Sequence, residues 1–479
     1  MVRVLAAVLL AAAGAGTAPD GIRVATDRTV DTSSLESIVR DVIRLSNAKT
    51  NDEKAIAIHT WLHHAIFHNA YPVEKSPQSV GPLKVIKVYG WGLCGGQHTV
   101  LKALFETAGW TVRYRGWDGH TTVEVQYDNR WHYFDVFLKC YYWTKDKKTI
   151  AGQDDINADP SIVLDAVKEG RVPADHYLCC GDEAQGVVDG CKTSKPLPVS
   201  RHEDGWASVT GRDQGYDAAL RLPPGATLRL EWKGEAGKTA VGGACRHSCG
   251  TKDFRGDKTL GPVLEHYGVR NHSNGRLVYA PDFSRAPDVA EVSLTGAEAK
   301  GGKIVATSGQ GVAIFKLPLP YAYVSGQLDC AFEGGEGRIS ISGDGGKSWQ
   351  AASTGDVSTL VKQKYAVWVK AEFPGALARL KLEAIVEHNR SALPYVLNGK
   401  NTITAAADGI AKGSALTLTV AYQEATAPDS SKRARWEGQG LSYGDARTVT
   451  HEAPTTWTID VGGNTPPKML YLEYSVRAR

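Results

Sequence analysis

The sequence predicts an α+β core in the first half of the chain, followed by one or more all-β sandwich domains. Between residues 94 and 137, a run with helical periodicity is followed by two runs rich in Thr, Val and aromatic residues. From about residue 217 the chain changes to short alternating runs separated by Gly, Pro and Asp. Such regularly spaced short runs are typical of antiparallel β domains.

The first residues are predicted to be a signal peptide. Arg3 precedes an unbroken apolar run over residues 4–13 that is too short to span a bilayer comfortably, and small residues follow up to Ala18. We therefore expect residues 1–18 to be removed and the protein to be secreted, periplasmic or at the cell surface. No later stretch reaches the length of a membrane span, so no membrane span is predicted.

Length and charge limit the remaining possibilities. A chain of 479 residues is predicted to hold two to four domains. We place an α+β domain at residues 19–215, a β-rich domain or linker module at 216–300, and a β-sandwich module at 301–479. The formal net charge of +3 is too small to indicate a nucleic-acid partner.

Two helices are predicted before residue 70, and neither they nor the later sequence contains a convincing metal motif. One helix opens near Ser34 and runs to about Leu45, and the second follows the cap candidate Asn51 and runs to about His68. Histidines 59, 63, 64 and 68 include i,i+4 pairs, but no acidic residue completes a H-E-x-x-H pattern. The calcium-loop-like start at Asp155 has Pro160 where the motif requires glycine. We predict no metal in the site and no cofactor; a requirement for calcium stays open, although no motif supports it.

The stretch between Tyr89 and Val136 brings a cysteine, a histidine and an aspartate into a defined arrangement. A helix is predicted to begin near Cys94, where the helix dipole favours a thiolate. Asp128 and Asn129 are typical of a two-residue hairpin loop between two strands. In that register His120 and Asp135 lie on one face of the sheet as diagonal neighbours.

A nucleophile, a base and a carboxylate that orients the base are the groups that covalent acyl chemistry requires. The alternative is that Cys94 is a buried small hydrophobe, His120 a loop residue and Asp135 an edge charge. Order, spacing and predicted elements together favour the catalytic interpretation.

The motifs resemble those of the transglutaminase-like superfamily, which includes tissue transglutaminases, peptide N-glycanases and many bacterial cysteine proteases. The resemblance lies in a G-x-C at a helix start, a His that opens a strand and a W-x-x-F-D on the next strand, and it covers about residues 50 to 140. It implies a papain-like cysteine-hydrolase core with Cys94 as nucleophile, His120 as general base and acid, and Asp135 as the residue that orients the imidazole. The main-chain N–H of Cys94 would be one oxyanion donor. In place of the family's acidic residue soon after the cysteine, Gly95-Gly96-Gln97 follow here.

Four further residues of this stretch are candidates for substrate binding: Trp91, Gln97, His98 and Trp117. His98 lies four residues after Cys94, on the same face of the predicted helix. It could be a second polar group in the cleft, although His120 is the better candidate for the base.

The second half contains predicted strands, one recognisable turn motif and most of the cysteines. We predict a hairpin over residues 218–232 and strands over 311–316, 322–329, 338–342, 366–372, 378–384, 415–422 and 470–476. Ser342 to Trp349 matches the Asp-box of sialidase-type hairpins, which in a single copy indicates a structural turn. With Cys94 free, the other cysteines at 140, 179, 180, 191, 245, 249 and 330 are predicted to form disulfides, although their odd number leaves at least one unpaired.

The sequence therefore favours an exported thiol enzyme that cleaves or transfers an amide acyl group. A protein, peptide or glycopeptide substrate is expected. Two other hypotheses remain open: a carbohydrate-processing enzyme on the same fold, and a non-catalytic surface-binding protein.

Overall fold

The computed structural model describes residues 21–68, 72, 74, 79–117, 119–172, 183–198, 215–235, 238–240, 272–428, 441–463 and 466–479. The predicted signal peptide and the cysteines at 179, 180, 245 and 249 lie outside these residues. Of the described residues, 23% are helical and 45% are in strands, and the sheets include a curled half-barrel. The prediction of an α+β core followed by separate sandwich domains is therefore wrong, and the protein is β-rich.

The helices lie mostly before residue 200, and two of them begin with capping boxes. The Ser34 and Thr50 side chains accept hydrogen bonds from main-chain N–H groups three residues later, which stabilises the first turn. The second helix ends at Ala65, earlier than predicted, because Ile66 is extended and Phe67–His68 form a strand. The helices are α1 (Leu35–Ser46), α2 (Asn51–Ala65), α3 (Pro82–Lys84), α4 (Cys94–Thr107), α5 (Gln153–Ala158), α6 (Ser161–Lys168), α7 (Glu183–Thr193), α8 (Ala286–Ala290) and α9 (Ser358–Val361), with a π-helix at Val85–Tyr89 and a 3₁₀ turn at Arg390–Ala392.

The strands confirm most of those predicted in the second half, usually with one to several residues added at an end. They are β1 (Ile22–Thr26), β2 (Phe67–His68), β3 (Trp91–Gly92), β4 (Thr111–Trp117), β5 (His120–Tyr127), β6 (Arg130–Phe134), β7 (Lys195–Leu197), β8 (Ala226–Glu231), β9 (His272–Tyr279), β10 (Ser293–Thr295), β11 (Ala297–Lys300), β12 (Lys303–Ala306), β13 (Gly311–Pro318), β14 (Ala322–Glu333), β15 (Arg338–Ser342), β16 (Gln350–Ala352), β17 (Gly355–Asp356), β18 (Ala366–Phe373), β19 (Ala376–Asn389), β20 (Gly399–Ala407), β21 (Ser414–Pro428), β22 (Leu441–Ala453), β23 (Thr455–Val461) and β24 (Lys468–Ala478).

These strands form one large sheet and several smaller ones. The large sheet runs in the order β11-β12-β19-β9-β8-β24-β21-β22, and β14 joins it by pairing with β19. A five-stranded sheet has the order β10-β13-β18-β15-β16, and a four-stranded sheet has the order β6-β5-β4-β7. The N-terminal β1 pairs with β20, so the beginning of the described chain belongs to a sheet built from its last third.

Buried contacts join the helical region to the β-rich region. The cluster of buried side chains around α2 and α4 also contains Ala322, Val324 and Ala392 from the second half of the chain. The buried Asn389 side chain donates hydrogen bonds to the main-chain oxygens of Ala65 at 2.9 Å and Ile86 at 2.6 Å. These contacts join residues that are more than 300 positions apart in sequence, and the alternating pattern of the strands does not indicate them.

The hairpin between β5 and β6 has the predicted register. Asp128 and Asn129 have φ values of 49° and 60°, as a two-residue turn with left-handed residues at both positions requires. Tyr127 pairs with Arg130, and the ladder continues to the pair of Val123 and Phe134. Because side chains alternate between the two faces of a strand, this register brings His120 and Asp135 to the same side.

Two other turn predictions have different outcomes. The predicted hairpin over residues 218–232 is wrong: β8 pairs with β24 and β9, whereas Leu220 forms a bridge with Ile22. The Asp-box does close its own turn, since Asp344 accepts hydrogen bonds from the N–H of Ser348 at 2.9 Å and the hydroxyl of Ser342 at 2.7 Å. It is a structural hairpin, as a single copy predicts.

Two findings bear on other predictions. Among the described residues, no helix has both the length and the apolar character that crossing a membrane requires. The described cysteines, Cys94, Cys140, Cys191 and Cys330, form no disulfide with one another. Because the other four cysteines lie outside the described residues, the pattern of disulfides stays a prediction.

We expect Asn389→Ala to lower the free energy of unfolding by about 2–4 kcal/mol, because it removes two buried hydrogen bonds between β19 and the helical region. Chemical denaturation measures this change. The control is Asn398→Ala, which removes a more exposed amide bonded to the oxygen of Gly462 and should cost less than about 1 kcal/mol. Equal losses in the two variants would show that Asn389 does not join the two regions.

Candidate active site

Cys94 is the first residue of α4 and is half-buried. The preceding Leu93 is extended and supplies no side-chain cap, so the first-turn N–H groups are not satisfied by a capping side chain. Buried glycines at 95 and 96 follow and keep side chains away from the helix start. The sulfur thus lies where the positive end of the helix dipole stabilises negative charge.

His120 opens β5 and is 8% exposed. Its Nε2 lies 2.5 Å from Oδ2 of Asp135, and the ring is close enough to the Cys94 sulfur to interact with it. Because Nε2 of His120 bonds Asp135, Nδ1 is the ring nitrogen available to interact with the Cys94 sulfur. Burial alone would lower the pKa of His120, but the charges of Asp135 and Cys94 and their hydrogen bonds outweigh burial and raise the pKa to about 10.

Asp135 directly follows β6 and is fully buried. Besides His120, its carboxylate accepts hydrogen bonds from the Tyr133 hydroxyl at 3.1 Å and the Leu138 N–H at 2.7 Å. Asp135 and Cys140 also exchange both main-chain hydrogen bonds at 3.0 Å, which closes a tight turn. Burial would raise the pKa of Asp135, but the positive charge of His120 and its hydrogen bond hold this pKa well below the usual range.

The sulfur of Cys94 interacts with His120, which in turn is hydrogen-bonded to Asp135. Burial opposes the thiolate, but the hydrogen bond and charge of His120, with the N–H groups of Thr121 and Gly95, outweigh it and lower the pKa of Cys94. With the pKa of Cys94 lowered and that of His120 raised, the favoured state is a thiolate beside an imidazolium. This state is typical of an activated cysteine nucleophile.

Aromatic side chains flank His120. The Trp117 ring centroid lies 5.0 Å from that of His120, and the Phe137 centroid lies 5.4 Å away. Gly190 of α7 fits against the Trp117 indole so closely that a Cβ there would lie 2.5 Å from the ring. The imidazole is therefore held between two rings, one of which is itself fixed by α7.

Three of the four candidate substrate-binding residues lie close to the Cys94–His120–Asp135 unit. Trp117 contacts His120. His98, on α4, is buried and bonds the main chain of Cys94 and of Val136. Gln97 is buried on the first turn of α4, and its side-chain oxygen has no partner among the described residues. Trp91, in β3, is 5% exposed and packs against Tyr89. It is therefore part of the hydrophobic core.

His98, His120 and Asp135 could in principle offer ligands to a metal, since one atom from each lies within 4.8 Å of the others. Each candidate atom, however, already has a hydrogen-bond partner: Nε2 of His120 and the carboxylate bond each other, and His98 bonds main-chain groups. This donor set fits proton transfer between side chains better than it fits a cation.

Sequence reasoning missed several residues that surround Asp135. Tyr133 lies two positions before Asp135, and strand alternation would have placed both on one face. His59 of α2, considered only as a metal-ligand candidate, places Nε2 2.9 Å from the main-chain oxygen of Asp135. No local pattern predicts that contact, because the two residues are 76 positions apart.

No protein-family model matches the chain, and no curated protein matches it at a significant level. The resemblance to the transglutaminase-like superfamily therefore stays a prediction based on the motifs around Cys94, His120 and Asp135. The function has to be inferred from the chemistry of these side chains.

We expect iodoacetamide to alkylate Cys94 at a lower pH than an ordinary thiol, whose pKa is about 8.5. Its rate should fall as the pH drops through the lowered pKa of Cys94, because protonation removes the thiolate. Peptide mapping after alkylation across a pH series measures this. Cys330 is the internal control, because it is half-buried like Cys94. Burial raises the pKa of Cys330 to about 12, so it should react only at a much higher pH.

His120→Asn should remove this activation. Burial then acts on Cys94 without the opposing imidazolium, so alkylation at neutral pH should slow about tenfold for each unit by which the pKa of Cys94 rises. An unchanged alkylation profile in His120→Asn would contradict the ion pair.

Proposed function

We propose that the protein is an exported thiol enzyme that cleaves or transfers an amide acyl group of a peptide or glycopeptide. The observation that carries the proposal is the juxtaposition of Cys94 at the start of α4 with a His120 that is hydrogen-bonded to the buried Asp135. The lowered pKa of Cys94 and the raised pKa of His120 are the shifts that a cysteine nucleophile and its acid–base partner require. The order of the three residues along the chain, as in the transglutaminase-like superfamily, supports the same proposal.

In the proposed reaction the Cys94 thiolate attacks the amide carbonyl carbon and forms a tetrahedral oxyanion. The N–H of Cys94, at the start of α4, is a donor for this oxyanion. His120 gives its proton to the leaving nitrogen, the carbon–nitrogen bond breaks, and a thioester remains on Cys94. The neutral His120 then removes a proton from water or from a second amine, which attacks the thioester and regenerates the thiolate.

Asp135 orients His120 in each of these steps. Because its hydrogen bond engages Nε2, Nδ1 stays directed towards the sulfur and the substrate. The carboxylate also stabilises the imidazolium that forms each time His120 takes a proton.

A glycosidase with the usual two-carboxylate design is less well supported. That design needs two carboxyl groups about 5–10 Å apart, both facing the sugar. In the described part of the chain, the one carboxylate that bonds His120 is Asp135, which is fully buried and bonded to Tyr133 and Leu138. A non-catalytic binding protein would have no need of an activated thiol, so the alkylation profile of Cys94 separates that alternative.

We expect Cys94→Ala to abolish turnover while leaving the fold intact, because a helix start tolerates alanine. His120→Ala should cost nearly as much and Asp135→Ala less, because members of such a unit act non-additively. The measurement is turnover of a substrate found by screening the purified protein against peptides, glycopeptides and polysaccharides. Cys330→Ala is the matched control and should retain full activity. Activity that survives Cys94→Ala would place the active site elsewhere and favour carbohydrate processing.

We expect water rather than a second amine to resolve the thioester, because transfer requires a shaped acceptor site in addition to the nucleophile. Adding a primary amine to the reaction and analysing the products by mass spectrometry measures the partition. Hydrolysis gives the free acid whatever the amine concentration, whereas an amide product that grows with amine concentration would establish transfer.

A further inference from the structure

His98 connects the two segments that carry the nucleophile and the orienting carboxylate. It is fully buried on α4, one helical turn after Cys94. Its Nδ1 lies 2.7 Å from the main-chain oxygen of Cys94, and its Nε2 accepts a hydrogen bond from the N–H of Val136 at 3.2 Å. A single imidazole thus bridges the first turn of α4 and the residue next to Asp135.

These two partners determine the tautomer of His98. A carbonyl oxygen only accepts and a main-chain N–H only donates, so the proton lies on Nδ1 and the lone pair on Nε2. Oδ1 of Asp135 lies 3.4 Å from the same Nε2, but a nitrogen that accepts from Val136 cannot also donate to a carboxylate. We therefore interpret His98 as a bridge between two main-chain groups and not as a second hydrogen-bond donor to the Asp135 carboxylate.

We propose that His98 is a positioning residue that holds the main chain of Cys94 at a fixed distance from that of Asp135 and Val136. The inference rests on the proposed function, because this distance matters for chemistry only if Cys94 and His120 react together. The sulfur is carried by α4, whereas the His120 ring is oriented by the carboxylate after β6. The sulfur–imidazole contact therefore depends on how these two segments are held.

A second imidazole, that of His59 on α2, bonds the main chain at Asp135. Nε2 of His59, on α2, lies 2.9 Å from the main-chain oxygen of Asp135. Burial, followed by the neighbouring His63, lowers the pKa of His59 to about 3, so His59 is neutral and donates this hydrogen bond. With His59 fixing the oxygen of Asp135 and His98 the N–H of Val136, the peptide group that these atoms share has hydrogen-bond partners on both sides.

Two substitutions separate the contacts of His98. Asn carries its amide group near the position of Nδ1, so His98→Asn keeps a donor for the Cys94 oxygen and loses the acceptor for Val136. Gln carries its amide group near the position of Nε2, so His98→Gln keeps an acceptor for Val136 and loses the donor to Cys94. Each variant removes one end of the bridge.

His132 provides the matched control. It is fully buried on β6 of the same sheet, and its two nitrogens also face main-chain oxygens, those of Ile150 at 2.6 Å and Tyr127 at 3.2 Å. It does not hydrogen-bond Cys94, His120 or Asp135 in the described structure. His132→Asn therefore removes a buried histidine bridge without disturbing the Cys94–His120–Asp135 unit.

The test measures iodoacetamide alkylation of Cys94 against pH by peptide mapping, together with the thermal unfolding midpoint, in the full chain. In both His98→Asn and His98→Gln we expect the alkylation rate at neutral pH to fall about tenfold or more, the range seen for residues that support a reactive group. His132→Asn should lower the unfolding midpoint and leave the alkylation rate unchanged.

The other outcomes are distinct. Wild-type rates in both His98 variants would overturn the inference while leaving the proposed function intact. A wild-type Cys94 that reacts only in the pH range of an ordinary thiol would instead contradict the proposed function. Loss of the folded state in both His98 variants, or an equal rate loss in His132→Asn, would overturn positioning in favour of a purely structural role.

Discussion

The buried carboxylate of Asp135 is the group on which the rest of the site depends. A fully buried carboxylate costs several kcal/mol unless charges and hydrogen bonds compensate it, and here His120, Tyr133 and Leu138 supply that compensation. The same hydrogen bond from His120 that stabilises the carboxylate also fixes the direction of the imidazole. Satisfying the buried charge and orienting the base are therefore one structural requirement, met by the β5–β6 hairpin and the turn that follows it.

The charge on Asp135 extends its influence to Cys94 through the imidazole. A buried thiol next to a neutral histidine would have its pKa raised, as the pKa of Cys330 is raised by burial. Because Asp135 keeps His120 protonated, the sulfur instead faces a positive charge and the N–H groups of Thr121 and Gly95. Asp135 thus lowers the pKa of Cys94 indirectly, through the charge that it stabilises on His120.

Local patterns were sufficient to predict that Cys94, His120 and Asp135 lie close together, but not what surrounds them. The start of α4 follows from periodicity, and the positive φ angles of Asp128 and Asn129 fix the register that aligns His120 with Asp135. The contacts of His59 with Asp135 and of His98 with Val136 join distant segments, and neither has a local signature. The fold class differs from the prediction for a related reason: the alternating strands after residue 217 predict separate sandwiches, whereas β14 contributes Ala322 and Val324 to the buried cluster of the helices.

The contacts between the two regions also position the segment that precedes Cys94. The π-helix Val85–Tyr89 ends at Gly90, whose φ of 69° and close approach to Asn389 leave no room for a side chain: a Cβ there would lie 2.6 Å from the amide carbon. Asn389, at the end of β19, bonds the oxygen of Ala65 at the end of α2 and the oxygen of Ile86 within the π-helix. From Gly90 only Trp91 to Leu93 separate this anchor from Cys94. The large β-sheet therefore fixes the segment that delivers the cysteine, while the β5–β6 hairpin fixes its partners, and the helices α2 and α4 hold the two together.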